Sequence, residues 1–148
     1  MMKSLKNLFT PKTPAELPMP AEVAVGALLV EAALVDGVYV NIESDMIAEI
    51  LLESFDFDAA KADALLAEAE TLAEEAVGSH QFTKHAKKLA LADRIKVVEA
   101  MYRVVLADGE RSDIEETYVR QVAGLLHVDD VSRAQARQRA EGRLPGAS

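Results

Sequence analysis

The chain of 148 residues contains no cysteine and no tryptophan, and only seven of its residues are aromatic. Without cysteine, a disulfide framework, a thiol nucleophile and a zinc–thiolate site are all excluded. Seven glycines and five prolines supply few turn signals, and the scarcity of aromatic residues is typical of helices rather than strands. No apolar run approaches the roughly 20 residues that span a bilayer, and we expect no signal peptide. Composition therefore predicts a soluble helical protein. The absence of cysteine also fits the cytoplasm, a reducing compartment in which proteins rarely contain disulfides.

The net charge of −9 is concentrated in one part of the chain. Residues 21–79 contain fourteen acidic side chains and one lysine, whereas residues 80–148 contain ten acidic and twelve basic side chains. So acidic a chain is a poor candidate for binding the phosphate backbone of nucleic acids, which requires clustered Lys and Arg. The acidic half suits a cation or a basic protein partner, or it consists of solvated helix faces that keep the protein soluble.

The hydrophobic pattern predicts an all-α bundle of about seven helices with no strand. Four prolines within the first twenty residues predict a flexible Pro-rich leader over residues 1–20, followed by a helical domain over 21–142 and a tail over 143–148. The first helix is apolar all round, which indicates a central, buried position. The predicted helices cover 21–35, 42–54, 58–77, 79–89, 92–107, 112–125 and 130–142, with Asp58, Ser79 and either Asp129 or Asp130 as N-caps.

An internal repeat is the most specific feature of the sequence. Two Asp-Gly pairs, Asp36-Gly37 and Asp108-Gly109, lie 72 residues apart, and each is preceded by a buried helix and followed by a second helix. The segments 34–43 and 106–115 share leucine, aspartate, glycine, isoleucine and glutamate in register. We therefore predict two helix–turn–helix units related by a pseudo-twofold axis.

The spacing Asp-Gly-x5-Glu matches the second half of an EF-hand calcium loop. However, the first and third ligand positions would be Ala32 and Leu34 in one copy and apolar residues again, Val104 and Leu106, in the other. Apolar side chains cannot ligate calcium, so an EF-hand is excluded.

Three interpretations of the repeated carboxylates remain open. Glu115 can cap a helix together with Ser112, and Glu43 occupies a first helical turn where the dipole favours a negative charge. Asp36 and Asp108 end helices, where the dipole opposes a carboxylate and something must compensate. The turns are therefore structural caps, a site for a hard cation such as calcium or magnesium, or a recognition surface for another protein.

On these residues the sequence resembles the tellurite-resistance TerB-like family, whose helical domain carries repeated Ala/Val-Asp-Gly motifs that are each followed by a glutamate. The resemblance covers about residues 22–130, without the leader and the basic final helix. It implies an all-helical fold, cytoplasmic or membrane-peripheral action in stress-response systems, and metal binding by acidic residues at the turns. The ligands implied in this way are Asp36, Glu43, Asp108 and Glu115, with Asp113 and Asn41 as additional loop oxygens.

No pattern of residues indicates an enzyme. The three histidines lack the spacings of zinc and di-iron helix motifs, and the chain has no nucleophile elbow and no glycine-rich phosphate loop. Two basic clusters contact an acidic partner, an anionic lipid head group or a nucleic-acid end, or they complement helix C-termini on a solvated surface: Lys84, His85, Lys87 and Lys88, and Arg133, Arg137, Arg139 and Arg143. We predict a non-enzymatic module that binds a divalent cation; the alternative is a metal-free interaction domain that docks a basic protein on its acidic half. A protein is the expected partner, nucleic acid is not, and membrane contact through the leader is a third hypothesis.

Overall fold

The computed structural model describes residues 19–34, 41–76, 79–106 and 113–142, without the side chains of 41–43 and 113–115. Seven helices and no strand occur within these ranges, which confirms the predicted all-α bundle. The helices are α1 (Ala21–Leu34), α2 (Asn41–Phe55), α3 (Ala59–Glu75), α4 (His80–Ala86), α5 (Leu91–Leu106), α6 (Asp113–Leu125) and α7 (Asp130–Gly142). None of these helices is long and apolar enough to cross a membrane.

The helix bounds agree with the hydrophobic pattern to within a few residues. The segments 1–18 and 143–148, and the two Asp-Gly turns, lie outside the described residues, so the predicted leader, tail and turn conformations stay predictions. The pseudo-twofold relation between the two units likewise stays a prediction.

Helix α1 forms the centre of the bundle. It packs against α2, α3, α4, α5 and α6, and ten of its fourteen residues are buried. A helix that is apolar on every side gains stability only when neighbours surround it, because each buried Leu or Val side chain contributes about 1.5–3 kcal/mol. Helix α3 comes close to α1 at Gly26, where a β-carbon would lie 2.7 Å from Leu65 Cδ2. The all-round apolar pattern thus predicted the position of α1 correctly.

The predicted N-caps are correct at two helices and wrong at a third. Asp58 Oδ1 accepts a 2.7 Å hydrogen bond from the backbone N–H of Lys61 at the start of α3. Asp129 precedes α7, and hydrogen bonds from Ser132 lower the pKa of its carboxyl group. Ser79, by contrast, makes no side-chain cap at α4. Its hydroxyl is engaged instead in hydrogen bonds to Glu31 and Tyr118, described below.

A Schellman motif ends helix α6. The N–H of Val128 donates to the carbonyl of Ala123 at 2.9 Å, and the N–H of His127 donates to the carbonyl of Gly124 at 3.1 Å. His127 has φ 59°, the left-handed conformation that usually belongs to glycine. Val128 and Ala123 are both buried, as is usual for the apolar residues at these two positions of the motif. The exposed His127 therefore stands in a position where its own side chain costs stability.

We expect His127→Gly to raise the free energy of unfolding by about 0.5–1 kcal/mol. Glycine avoids a left-handed penalty of roughly 1–2 kcal/mol but loses more backbone entropy on folding. Urea unfolding measures the change, and His127→Ala is the control because it removes the imidazole and keeps a β-carbon. A glycine variant no more stable than the alanine variant would refute this account of the turn.

The arginines of α7 attach the helix to its neighbours rather than forming a free basic surface. Arg133 Nη1 donates to the hydroxyl oxygen of Tyr102 at 3.1 Å, and Arg137 Nη1 donates to Glu116 Oε1 at 3.2 Å. Arg139 pairs with Glu99. These contacts with α5 and α6 favour the structural interpretation of this predicted basic cluster; Arg143 lies outside the described residues.

Candidate functional site at the contact between α1 and α6

Beyond Glu22 in the first turn, one carboxylate interrupts the apolar sequence of α1. Glu31 lies in the second half of the helix, between the buried residues Val30 and Ala32. Its Oε1 accepts a 2.9 Å hydrogen bond from the hydroxyl of Tyr118 on α6. Both side chains are half-buried, and the two residues are 87 positions apart in sequence. The pair is therefore a polar contact of the tertiary structure that no local motif announces.

Burial dominates the electrostatics of this pair. Desolvation raises the pKa of Glu31, and hydrogen bonds from Tyr118 and Ser79 lower it by less. Burial also raises the pKa of Tyr118, and the nearby charge of Glu31 raises it further. The phenol hydroxyl therefore stays protonated and donates to the carboxylate, while Ser79 connects the start of α4 to the same cluster.

The contact joins two helices that flank the two Asp-Gly pairs of the sequence. Glu31 precedes Asp36 by five residues on the helix that enters the first Asp-Gly turn. Tyr118 follows Glu115 by three residues on the helix that leaves the second turn. The hydrogen bond between Glu31 and Tyr118 thus joins the end of α1 to the first half of α6.

A second polar contact links the other two helices of the repeat. Arg103 Nη2 on α5 lies 2.9 Å from Glu53 Oε2 on α2, and the Arg103 side chain is only 16% exposed. Arg103 follows Glu31 by 72 residues, the offset that also separates Asp36 from Asp108. The helix before each Asp-Gly pair therefore carries one charged residue whose partner lies on the helix that follows the other Asp-Gly pair.

Sequence reasoning missed both Glu31 and Arg103 as site residues. Two signals could have found them: a lone acid inside an apolar helix, and the equivalence of the two positions at the repeat offset. Lone charges in buried helices are uncommon because a charge without a partner is expensive to bury.

The structure describes only part of the predicted metal site. Asp36 and Asp108 lie outside the described residues. Asn41 and Glu43 fall in the first turn of α2, and Asp113 and Glu115 in the first turn of α6, where the helix dipole favours carboxylates; their side chains are not described. Within the described ranges, no group of three or more His, Asp or Glu side chains is arranged to hold a metal ion.

Comparison with known protein families identifies the domain. The family model described as tellurite resistance protein TerB matches residues 22–138, from the first turn of α1 into α7. The chain belongs to the TerB family. Searches of curated proteins and of solved structures returned no match.

The TerB match corrects one expectation from the sequence. The family resemblance was expected to end near residue 130, before the basic final helix, whereas the match reaches residue 138 within α7. The physical reason is that α7 packs on α5 through the buried Ala136 and Ala140 and is paired with Glu116 of α6. Helix α7 is therefore part of the TerB domain.

The raised pKa of Glu31 makes the stability of this TerB domain depend on pH. A carboxyl group whose folded pKa exceeds its unfolded value stabilises the fold below the unfolded pKa, near 4.5, and this contribution is lost as pH rises through the folded pKa. We therefore expect the difference in free energy of unfolding between Glu31→Gln and the wild type to shift in favour of the variant as the pH rises from 4 to 7. Urea unfolding of both proteins in a chelator measures the difference, and a gap that stays constant or shrinks over this range would contradict the assignment.

Proposed function

We propose that this TerB domain is a non-enzymatic cytoplasmic module that binds a divalent cation, calcium or magnesium, at its two Asp-Gly-x5-Glu turns and serves a stress-response assembly. The observation that supports the proposal most is the hydrogen bond between Glu31 and Tyr118. It holds the helix that enters the first turn against the helix that leaves the second. Carboxylates distant in sequence, Asp36 with Asp113 and Glu115, would then be available to one ion.

The chemistry of the available ligands selects the type of cation. The chain has no cysteine, and the residues of both turns offer carboxylate and amide oxygens. Oxygen-only sites suit calcium and magnesium and disfavour soft or borderline metals. Asp36, Glu43, Asp108, Glu115 and Asp113 are the proposed ligands. A cation there would also offset the unfavourable position of Asp36 and Asp108 at helix C-termini.

The first test is thermal unfolding with added calcium or magnesium at constant ionic strength. A ligand that binds only the folded state at 100 times its Kd stabilises that state by about 2.7 kcal/mol. We expect an increase in Tm for the wild type that is lost in the double variant Asp36→Asn, Asp108→Asn.

The matched control is the double variant Asp63→Asn, Glu68→Gln. Both side chains are exposed on α3. These substitutions remove two negative charges, as the first double variant does, but from positions outside the two turns. This control should keep the wild-type response to the cations. Equal loss of the response in both double variants would indicate general charge screening and would refute a site at the turns.

A second candidate function rests on the exposure of the acidic side chains of α2 and α3. Seven carboxylates on these two helices are exposed, and Lys61 is the one basic residue there: Asp45, Glu49, Glu53, Asp63, Glu68, Glu74 and Glu75. Such a surface would attract a basic protein partner by charge complementarity. A titration with a lysine-rich peptide at low and high salt tests this function, and the Asp63→Asn, Glu68→Gln variant should weaken the binding. Salt-independent binding would contradict it.

A further inference from the structure

An apolar cleft of about 250 Å³ opens between the first turn of α1, the end of α2 and the start of α5. Its walls include Val25, Phe55, Phe57 and Leu89, and we call it the Phe57 cleft. The rings of Phe55 and Phe57 are 6.2 Å apart, and Lys61 Nζ lies 4.6 Å from the centre of the Phe57 ring. Small-molecule sites usually measure roughly 300–1,000 Å³, so this cleft is suited to one or two side chains rather than to a large ligand.

The rim of the Phe57 cleft is acidic. Glu22, Asp56 and Asp93 contribute three carboxylates, against the ammonium groups of Lys96 in the lining and of Lys61 beside it. Glu22 pairs with Lys61 at 3.2 Å, and Lys96 lies 4.0 Å from Asp93. Asp56 has no hydrogen bond or ion pair with any other described residue. The cleft therefore suits a segment that combines large apolar side chains with positive charge.

An exposed apolar residue lies close in sequence to two residues of the cleft. Leu91, the first residue of α5, is 50% exposed and falls in sequence between the cleft residues Leu89 and Asp93.

We propose that the Phe57 cleft binds the N-terminal segment of this same chain, residues 1–18. The segment has three lysines and one glutamate, so its net charge of +2 complements the acidic rim. Between the lysines it carries the large apolar residues Met1, Met2, Leu5, Leu8 and Phe9. The chain then enters the described structure at Met19, which packs against the core three residues before Glu22 of the cleft rim.

Covalent attachment favours this segment over a separate protein. A chain spans at most about 3.3–3.6 Å per residue, so Phe9, ten residues before Met19, reaches up to about 35 Å from it and can turn back into the cleft. A cleft of this size offers far less contact area than the roughly 1,200 Å² of surface that a stable complex between separate proteins buries. A tethered segment needs less contact area, because a short linker gives it an effective concentration on the order of millimolar.

Paramagnetic relaxation in the full-length protein tests the proposal. The chain has no cysteine, so Ser4→Cys introduces a single attachment site for a nitroxide spin label. We expect the label to broaden the backbone amide signals of Phe57 and Leu89. The amide of Ala73 should be broadened much less, because Ala73 lies twelve residues beyond Lys61 on α3, about 18 Å along the helix at 1.5 Å per residue.

Two further measurements identify the occupant. Leu5→Asp, Leu8→Asp and Phe9→Asp together should abolish the broadening; these positions precede the family domain, so the bundle is expected to fold normally. In a mixture of isotope-labelled protein without spin label and spin-labelled protein without isotope, the same signals should stay sharp. Broadening that survives the triple substitution, affects Ala73 equally, is absent from Phe57 and Leu89, or appears in the mixture would overturn intramolecular docking.

Discussion

Replacing Gly26 with valine is expected to lower the free energy of unfolding by about 3 kcal/mol. Gly26 lies where α1 crosses α3, and a β-carbon there would be 2.7 Å from Leu65 Cδ2 and 3.1 Å from the β-carbon of Ala69. Leu65 and Ala69 are both buried, so neither can move aside without disturbing the core. Overpacking typically costs about 1–3 kcal/mol. Valine adds two γ-carbons beyond the β-carbon, so we expect a cost at the upper end of this range.

The same substitution at Gly124 is the matched control. Gly124 is also helical, in the last turn of α6, but an added β-carbon would meet nothing within 4 Å. Valine has a slightly higher helix propensity than glycine, so Gly124→Val should change stability by no more than about 0.5 kcal/mol. Urea unfolding of the two variants separates steric crowding from propensity. Equal effects at the two positions would contradict the close crossing of α1 and α3.

Removing the carboxylate of Glu116 is expected to destabilise the protein by about 2–3 kcal/mol and to loosen α7 first. Glu116 Oε1 lies 3.2 Å from Arg137 Nη1 and 3.8 Å from Arg133 Nη1, and the side chains of these arginines are only 26% and 14% exposed. Loss of the shared carboxylate leaves two half-buried guanidinium groups with fewer partners, which costs more than the loss of an exposed ion pair. Helix α7 buries mainly small side chains, Ala136 and Ala140, so it depends on these contacts.

A third arginine provides the control for Glu116→Ala. Arg120 Nη2 lies 3.8 Å from the same oxygen, but its side chain is 64% exposed. Arg120→Ala should therefore cost less than about 0.5 kcal/mol, as exposed ion pairs do. Urea unfolding measures the totals, and hydrogen exchange should show faster exchange in α7 of the Glu116→Ala protein than in α3. Similar losses in the two variants, or uniform exchange, would contradict this role for Glu116.

The sequence was sufficient to predict the helices because their signals are local. Hydrophobic periodicity placed all seven, and the all-round apolar pattern of α1 identified the central helix. Asp58 and Asp129 act as caps because an N-cap requires only a backbone N–H two or three residues further along the chain. The same locality explains why the family motifs were recognisable at both turns.

The polar contacts between helices could not be predicted in this way. Glu31 and Tyr118 come together across 87 positions, and Arg133 reaches Tyr102 across 31. Such pairs depend on how the helices rotate against each other, which periodicity leaves open. The error at Ser79 has the same origin: its position next to a helix suggested a cap, but the tertiary structure brings Glu31 and Tyr118 within reach of its hydroxyl.

Isothermal titration calorimetry of the cation-stripped protein tests the proposed function most directly. Titration with calcium, and separately with magnesium, should give a binding heat in the wild type for at least one of the two cations. The heat should disappear in the double variant Asp36→Asn, Asp108→Asn and persist in Asp63→Asn, Glu68→Gln. No heat from the wild type with either cation, or unchanged binding in the first double variant, would contradict a cation site at the two turns.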